Sequence, residues 1–258
     1  MRVVIIGAGN VASVFGRLIK KANHEIIQVV SRNITNARVL ANELDAAFSN
    51  DPAILDTSAD LYVVAMADAA LNEIHESYFL GDKLIVHTAG SVSRDILKSV
   101  SVNYGVIYPL QSLRKESLEL SRDIPLLIDG ISEEVISMIE KFALTLSSKV
   151  TRVNDEQRLK LHVAAVIVSN FTNHMYTLAA GYCYEEGLDF KMLQPLIEET
   201  ALRLRYHDPG EMQTGPAARK DRMTLDKHLQ VLSRHPLLKN LYQRITESIM
   251  NNTHSSPG

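Results

Sequence analysis

His162, Ser169 and Asn173 stand in a stretch whose other residues are mostly apolar, HVAAVIVSNFTNHMYTLAA. On a straight α-helix they fall within about 40° of one another, and Asn170 lies beside that stripe. Burying such groups without partners costs roughly 1–3 kcal/mol each. They therefore either bond one another and the backbone of packed neighbours, at a helix or subunit interface, or line a cavity. In a cavity His162 is the natural proton donor, because an imidazole titrates near neutrality. Asn170 or Ser169 would then orient a carbonyl or imine. Further candidates follow two β-like runs: His87-Thr88 at the end of KLIVH, and Tyr108, Gln111 and Ser112 at and beyond the end of YGVIYP. Gln111 can donate to a substrate carboxylate or to a carboxamide, whereas Tyr108 also reads as packing. Thr214–Asp221 (TGPAARKD) combines a Gly-Pro turn with dense charge. It presents Arg219 to an anionic substrate, or it is a connector between helices with a solvated charge cluster.

The element that positions these groups begins the chain. Val3–Ile6 is a continuous β-branched run, the composition of a strand buried on both faces. Gly7-Ala8-Gly9-Asn10-Val11-Ala12 follows at once and leads into an apolar pattern of helical period, Val11, Val14, Phe15, Leu18 and Ile19. Gly7 permits the tight turn, Gly9 lets a pyrophosphate approach the backbone, and Ala12 allows close packing of helix on strand. The helix start, Asn10 and Val11, offers free N–H groups and a positive dipole end to phosphates. The spacing G-x-G-x-x-A directly after a buried strand therefore predicts a dinucleotide site.

The second strand, Glu25–Val30, ends in Ser31-Arg32-Asn33. A site for NAD usually carries a carboxylate here, about 20 residues past the glycine turn, to hold the ribose hydroxyls. None is present. Arg32 can pair with a 2′-phosphate and stack on adenine, and Ser31 and Asn33 can donate to it. NADP(H) is thus the expected cofactor.

Helix-like Thr35–Leu44, a short strand at Ala46–Phe48, a turn opened by Asp51-Pro52, strand Asp60–Met66, helix Asp68–Tyr78 and strands Lys83–His87 and Tyr104–Pro109 follow in order. Ala65, Met66 and Ala67, at the end of the fourth strand, should border the cofactor, which lies across the strand ends, and small residues there let the backbone come close. Strands Ile124–Ile128 and Lys149–Val153, around a helix at Ser132–Leu146, extend the sheet at its edge. The expected fold is α/β: an N-terminal Rossmann domain with a doubly wound parallel sheet, residues 1–153, followed by an all-helical domain, residues 154–250. Asn154 to Gln157 forms a capping-box start, and the helix it opens runs to about Glu186, some 50 Å at 1.5 Å per residue. Apolar on nearly every face, that helix suits the centre of a helical domain or of a dimer. Further helices are expected at Phe190–Tyr206, near Pro216–Arg219, at Asp221–Ser233 and at Leu237–Met250, with a flexible tail at 251–258.

The 258 residues are 46% hydrophobic and carry a net charge of −3, which gives no global attraction to nucleic acid or to a membrane. One cysteine, Cys183, excludes an intramolecular disulfide and a Cys-rich metal site. The histidines show no H-E-x-x-H or comparable metal spacing. No Tyr-x-x-x-Lys pair, G-x-S-x-G elbow or phosphate-loop Gly-Lys-Ser/Thr occurs. No basic, apolar leader opens the chain, so a cytoplasmic protein is expected.

GAGNVA, the Ser31-Arg32 strand end, HTAGS at His87–Ser91, YPLQSL at Tyr108–Leu113, KLHVAAVIVSNF at Lys160–Phe171 and TGPAARKD together resemble one family. It comprises NADP oxidoreductases that join a Rossmann domain to a helical domain of uncharacterised function. The nucleotide domain is similar to those of deazaflavin-dependent NADP reductases and pyrroline-5-carboxylate reductases. The helical part resembles the C-terminal domain of 6-phosphogluconate dehydrogenase and ketopantoate reductase. The resemblance implies a homodimer formed through the helical domains, with the His162 and Asn170 region and the TGPAARKD loop flanking the cleft. Hydroxyacid dehydrogenases use a Lys and an Asn on this helix. Asn170 fits the Asn role, but Lys160 lies ten residues earlier, outside the short spacing, so that either His162 takes the proton role or the chemistry differs.

These readings lead to an NADPH-dependent oxidoreductase that reduces a small carbonyl or imine acid. In it His162, Asn170 and Gln111 are catalytic, and Arg219 and Ser169 hold the substrate. Gly7, Gly9, Asn10, Val11, Ser31, Arg32, Ala65 and Met66 bind cofactor. The alternatives are a non-catalytic NADP-binding, redox-sensing protein acting through its helical domain and, against the evidence of Arg32, a methyltransferase.

Overall fold

In the computed structural model, residues 1–116 and 123–251 are described. Contacts divide the chain into two compact units, Met1–Asn170 and Phe171–Gly258.

An eight-stranded sheet in the order β3-β2-β1-β4-β5-β6-β7-β8 forms the first unit. β1 (Arg2–Ile6), β2 (Glu25–Val30), β3 (Ala47–Ser49), β4 (Leu61–Val64), β5 (Leu84–His87) and β6 (Tyr104–Pro109) run parallel. Their β-branched runs are buried on both faces, as a sheet covered on two sides requires. α1 (Asn10–Lys21), α2 (Ile34–Leu44) and α5 (Glu133–Leu146) contribute Phe15, Leu40, Phe142 and Ala143 to one core layer. Leu71, Ile74, Leu97 and Val100 fill the layer on the other face. Between them, α3 (Asp68–Leu71) and α4 (Ile74–Ser77) are two short turns of helix, where one continuous helix to Tyr78 is expected.

The sheet is not parallel throughout. β7 (Leu126–Gly130) is antiparallel to β6, and β8 (Val150–Arg152) is parallel to β7. The cause is in the register: Pro109, the last residue of β6, pairs with Leu126, the first of β7. The chain thus re-enters the sheet at the edge it has just left, and a parallel partner would need a crossover to the opposite edge.

α6 (Asp155–Ala165) opens with the expected capping box between Asn154 and Gln157. It then departs from expectation. Val166–Phe171 is π-helical, and α7 (Thr172–Glu185) follows. A π turn bonds i to i+5 and so holds about one residue more than an α turn. Ser169 and Asn170 therefore do not stand, relative to His162, where a straight helix would put them. Nor is this stretch buried within the single chain: Ile167, Val168 and Phe171 are exposed.

Within the second unit, α8 (Gln194–Arg203), α9 (Arg222–Val231) and α10 (Pro236–Asn251) follow, and no strand occurs among its described residues. Gly187, at φ +69°, ends the α7 run in the left-handed region that favours glycine. Pro216–Lys220 is a turn, not the short helix expected. Asn251 closes α10, so it is not part of a tail, and the rest of the expected tail lies outside the described residues. No helix among the described residues is long and apolar enough to cross a membrane.

Candidate active site

The glycine turn is set by its surroundings. Gly7 has φ +122°, and a Cβ there would lie 2.1 Å from the carbonyl oxygen of Ala65. Its N–H donates to the Val30 carbonyl at 2.8 Å. The turn thus threads between the ends of β2 and β4, next to the switch point where strand order reverses. Gly9 has open space around it and precedes α1 with no side-chain cap, so the first N–H groups of the helix are left for a ligand. The Val11 side chain packs on the core, and the Asn10 side chain accepts from the backbone N–H of Lys115 at 3.3 Å. At these two positions the backbone is what can meet a phosphate.

A crevice of about 220 Å³ lies above this turn. Gly7, Gly9, Ser31, Arg32, Ala65 and Met66 line it, and so do Asn36, Ala67, Ala70 and Tyr78. Ala67 was expected beside the cofactor with Ala65 and Met66; sequence reasoning missed Asn36, Ala70 and Tyr78. Asn36 lies one turn beyond Arg32 and could have been placed by helical spacing; Tyr78 carried no such signal. Arg32 is exposed and makes no ion pair or hydrogen bond among the described residues, so its guanidinium is free to meet an anion. Asn33 caps α2, its Oδ1 accepting from the Asn36 N–H at 3.0 Å. An open Gly9, an uncapped helix start and an unpaired Arg32 in one crevice fit the pyrophosphate and 2′-phosphate of NADP. A larger hollow of about 650 Å³ lies at the opposite, amino edge of the sheet, around His24, Lys83 and Phe142. It has neither the glycine turn nor a free helix start.

The carboxyl end of β5 is rigidly held. His87 is fully buried; its Nδ1 accepts from the Ala89 N–H at 3.2 Å, and its Nε2 lies 3.3 Å from the Ser93 carbonyl. Both contacts are satisfied by the neutral ring protonated at Nε2. Burial, and then the charge of Arg158, push its pKa down to about 4. Thr88 donates through Oγ1 and N–H to the Val64 carbonyl, at 3.2 and 3.1 Å. Both residues therefore hold the loop from within and do not face a ligand.

His87 makes stability depend on pH. The folded ring titrates near 4 and the unfolded ring near its ordinary 6.5. Its contribution is complete above pH 6.5 and is lost as pH falls from there to about 4, by roughly 3 kcal/mol in all. His87→Gln is expected to flatten that part of the pH dependence of the urea midpoint. An unchanged slope would contradict this account.

Below the loop lies a network that the sequence did not suggest. Arg158, 1% exposed, donates through Nη2 to the Val92 carbonyl at 2.5 Å and to Asp155 Oδ1 at 2.7 Å. Asp155 also accepts from Ser93 Oγ at 2.5 Å, while Arg94 Nη1 donates to Asp129 Oδ1 at 2.7 Å. Burial raises the Asp129 pKa despite Arg94. Arg158 lies four residues before His162, on the same face of α6, and that spacing was the available signal.

His162 reaches the sheet's carboxyl edge. Its Nδ1 is 2.9 Å from the Tyr108 hydroxyl, and the rings meet edge to face at 5.7 Å. A Cβ on Gly90 would lie 2.7 Å from His162 Nδ1 and 2.9 Å from Tyr108 Cζ. The loop after β5 thus passes directly against the pair, and only glycine fits. Tyr108 is nearly buried; burial first, and then the Asp68 carboxylate, raise its pKa and keep it a phenol. Lys160 points away, paired with Glu156 at 2.5 Å in solvent.

Of the remaining candidates, Gln111 follows β6 with an exposed side chain that bonds nothing among the described residues. Ser169 is half-buried and Asn170 exposed, both in the π-helical segment and without side-chain hydrogen bonds among the described residues. Arg219 is an exposed cation on the Pro216–Lys220 turn of the second unit. No group of three or more potential metal ligands occurs among the described residues.

Comparisons with known proteins agree with this geometry. Residues 2–90 match the family model described as NADP oxidoreductase, coenzyme F420-dependent. Residues 124–249 match the domain of unknown function DUF2520. A Bacteroides fragilis protein described as an NADP oxidoreductase is 36% identical, with a TM-score of 0.91 over 97% of this chain and 98% of its own. The reductive aminase of Aspergillus terreus is similar in fold, with a TM-score of 0.70, 15% identity and coverage of 96% and 94%. So is the 1-pyrroline-5-carboxylate reductase of Streptococcus pyogenes, at 0.64, 13%, 97% and 98%. No curated protein matches the chain.

Proposed function

The chain belongs to the NADP oxidoreductases that join a Rossmann domain to a DUF2520 helical domain, and on that premise we propose that it reduces a small carbonyl or imine acid with NADPH. The observation that carries the proposal is His162, held against Tyr108 and Gly90 at the carboxyl edge of the sheet. A neighbour of similar fold, the Aspergillus terreus reductive aminase, is known in complex with NADPH and a keto ester. When bound, NADPH supplies the hydride.

The chain's own residues bind, orient and move a proton. Gly7, Gly9 and the backbone of Asn10 and Val11 cradle the pyrophosphate, Ser31 and Arg32 hold the 2′-phosphate, and Ala65 and Met66 border the cofactor. His162 delivers a proton from Nε2 to the substrate nitrogen or oxygen. Asn170 and Gln111 orient the reacting group, while Ser169 and Arg219 hold the carboxylate. In this reading residues 1–153 bind cofactor and residues 154–250 bind substrate and dimerise, in the cytoplasm.

Dimerisation is supported by the apolar side chains left exposed on both units, among them Val168, Phe171 and Leu196. Sedimentation equilibrium is expected to give twice the chain mass; a monomer at micromolar concentration would refute it. The reaction itself is tested by NADPH oxidation with a panel of keto and imino acids. Turnover of at least one is expected, and tight NADPH binding without any turnover would defeat the proposal.

A further inference from the structure

We propose that Tyr108 is a positioning residue for the proton donor: its phenol oxygen accepts Nδ1–H of His162 and so leaves Nε2 as the nitrogen that gives up the proton. The proposal rests on the reductase reading and adds to it the residue that sets the donor's orientation.

Three observations converge. The Tyr108 hydroxyl and His162 Nδ1 are 2.9 Å apart, while Nε2 has no partner among the described residues. The Tyr108 ring meets the imidazole edge to face, and Gly90 closes the other side so tightly that a methyl group there would overlap both rings. The imidazole therefore has little freedom to swing or flip. Thirdly, Tyr108 is a nearly buried phenol close to the carboxylate of Asp68 on α3. An imidazolium carries a hydrogen on both nitrogens, so in the charged, proton-giving form the His162 Nδ1–H is donated to the Tyr108 oxygen. Asp68 is in turn held by the Ser91 hydroxyl on the loop after β5. The other charged group facing Tyr108 is Arg158, one turn before His162, whose side chain is tied to Val92 and Asp155.

With NADPH bound, the C4–H bond of its dihydronicotinamide would break and a C–H bond would form on the substrate carbon, oxidising the cofactor to NADP+ and opening the C=N or C=O π bond; the Nε2–H bond of the imidazolium breaks, and its proton forms the new N–H or O–H bond. The ring is left neutral with its proton on Nδ1, still donated to Tyr108. Because His162 is only half-buried, Nε2 takes the next proton from water.

Nitrogen-15 NMR of the histidine side chains of the full-length protein, bound to NADP+, tests this without a substrate. His162 is assigned by comparison with His162→Gln. In its neutral form His162 is expected to carry its proton on Nδ1, and Tyr108→Phe, which keeps the ring and removes only the hydroxyl, is expected to release it to Nε2. The proposal is overturned if wild-type His162 carries its proton on Nε2, or if Tyr108→Phe leaves the tautomer unchanged. Should that variant not fold, the wild-type spectrum alone decides. With any substrate that turns over, Tyr108→Phe is expected to lower kcat about tenfold with KM for NADPH unaltered. Absence of turnover would defeat the reductase reading and leave the tautomer result standing, so the two failures are distinguishable.

Discussion

His162→Ala is expected to lower kcat for reduction about 10²- to 10⁴-fold, the range set by loss of a general acid. The fall is expected in kcat and kcat/KM together, because proton delivery is realised only in the transition state. NADPH affinity is expected to stay within about twofold, since the glycine turn and Arg32 line a crevice that His162 does not. His162 is half-buried and, among the described residues, its one side-chain hydrogen bond goes to Tyr108, so the fold should survive truncation. Steady-state kinetics beside a fluorescence titration with NADPH separates these effects. Equal losses in cofactor affinity and in kcat would point to a collapsed loop after β5 and away from a missing acid.

Arg32→Asp is expected to reverse the choice between cofactors. Hydrogen bonds to a charged partner contribute about 1.5–3 kcal/mol, which is about 10- to 100-fold in affinity for the 2′-phosphate. A carboxylate in that place adds repulsion toward NADPH and a ribose-hydroxyl acceptor suited to NADH. Arg32 is exposed and engages no other side chain among the described residues, so the substitution is expected to leave stability within about 0.5 kcal/mol. Dissociation constants for the two cofactors, measured on wild type and variant, check it. A variant that still prefers NADPH would show that another group reads the 2′-phosphate, and the crevice then points to Asn36 as the next candidate.

Much of the nucleotide half was legible because its signals are local. A β-branched run, a Gly turn and a helical apolar period lie within the first twenty residues, and each reports on its own neighbourhood. The turn residue Gly7 is explained by one backbone contact, to Ala65, that the βαβ topology supplies. The antiparallel β7 was not legible. Its sequence is a buried strand in either direction, and only the pairing of Pro109 with Leu126 sets the sense. The π-helical segment was equally hidden: Val166–Phe171 has the composition of any apolar helix, and the altered bonding moves Ser169 and Asn170 off the line drawn for them.

The site was legible in part for a related reason. His162 stood out as a polar residue in an apolar run, but its partner lies 54 positions earlier, in a strand whose tyrosine looked like packing. His87 had the position of a ligand-facing residue at a strand end, yet burial and two hydrogen bonds make it a structural pin. Arg158 carried no reading from the sequence, yet it is the most buried cation of the described residues. Long-range contacts decide such cases, and periodicity carries no information on them.

The central claim is that hydride passes from NADPH to the carbon of a carbonyl or imine while the chain supplies the proton. Reaction of a turned-over substrate with NADPH deuterated at the transferred position of the nicotinamide, followed by mass spectrometry of the product, tests it most directly. One deuterium on the former carbonyl or imine carbon is the predicted result. NADPH consumed with no deuterium in the product would contradict it.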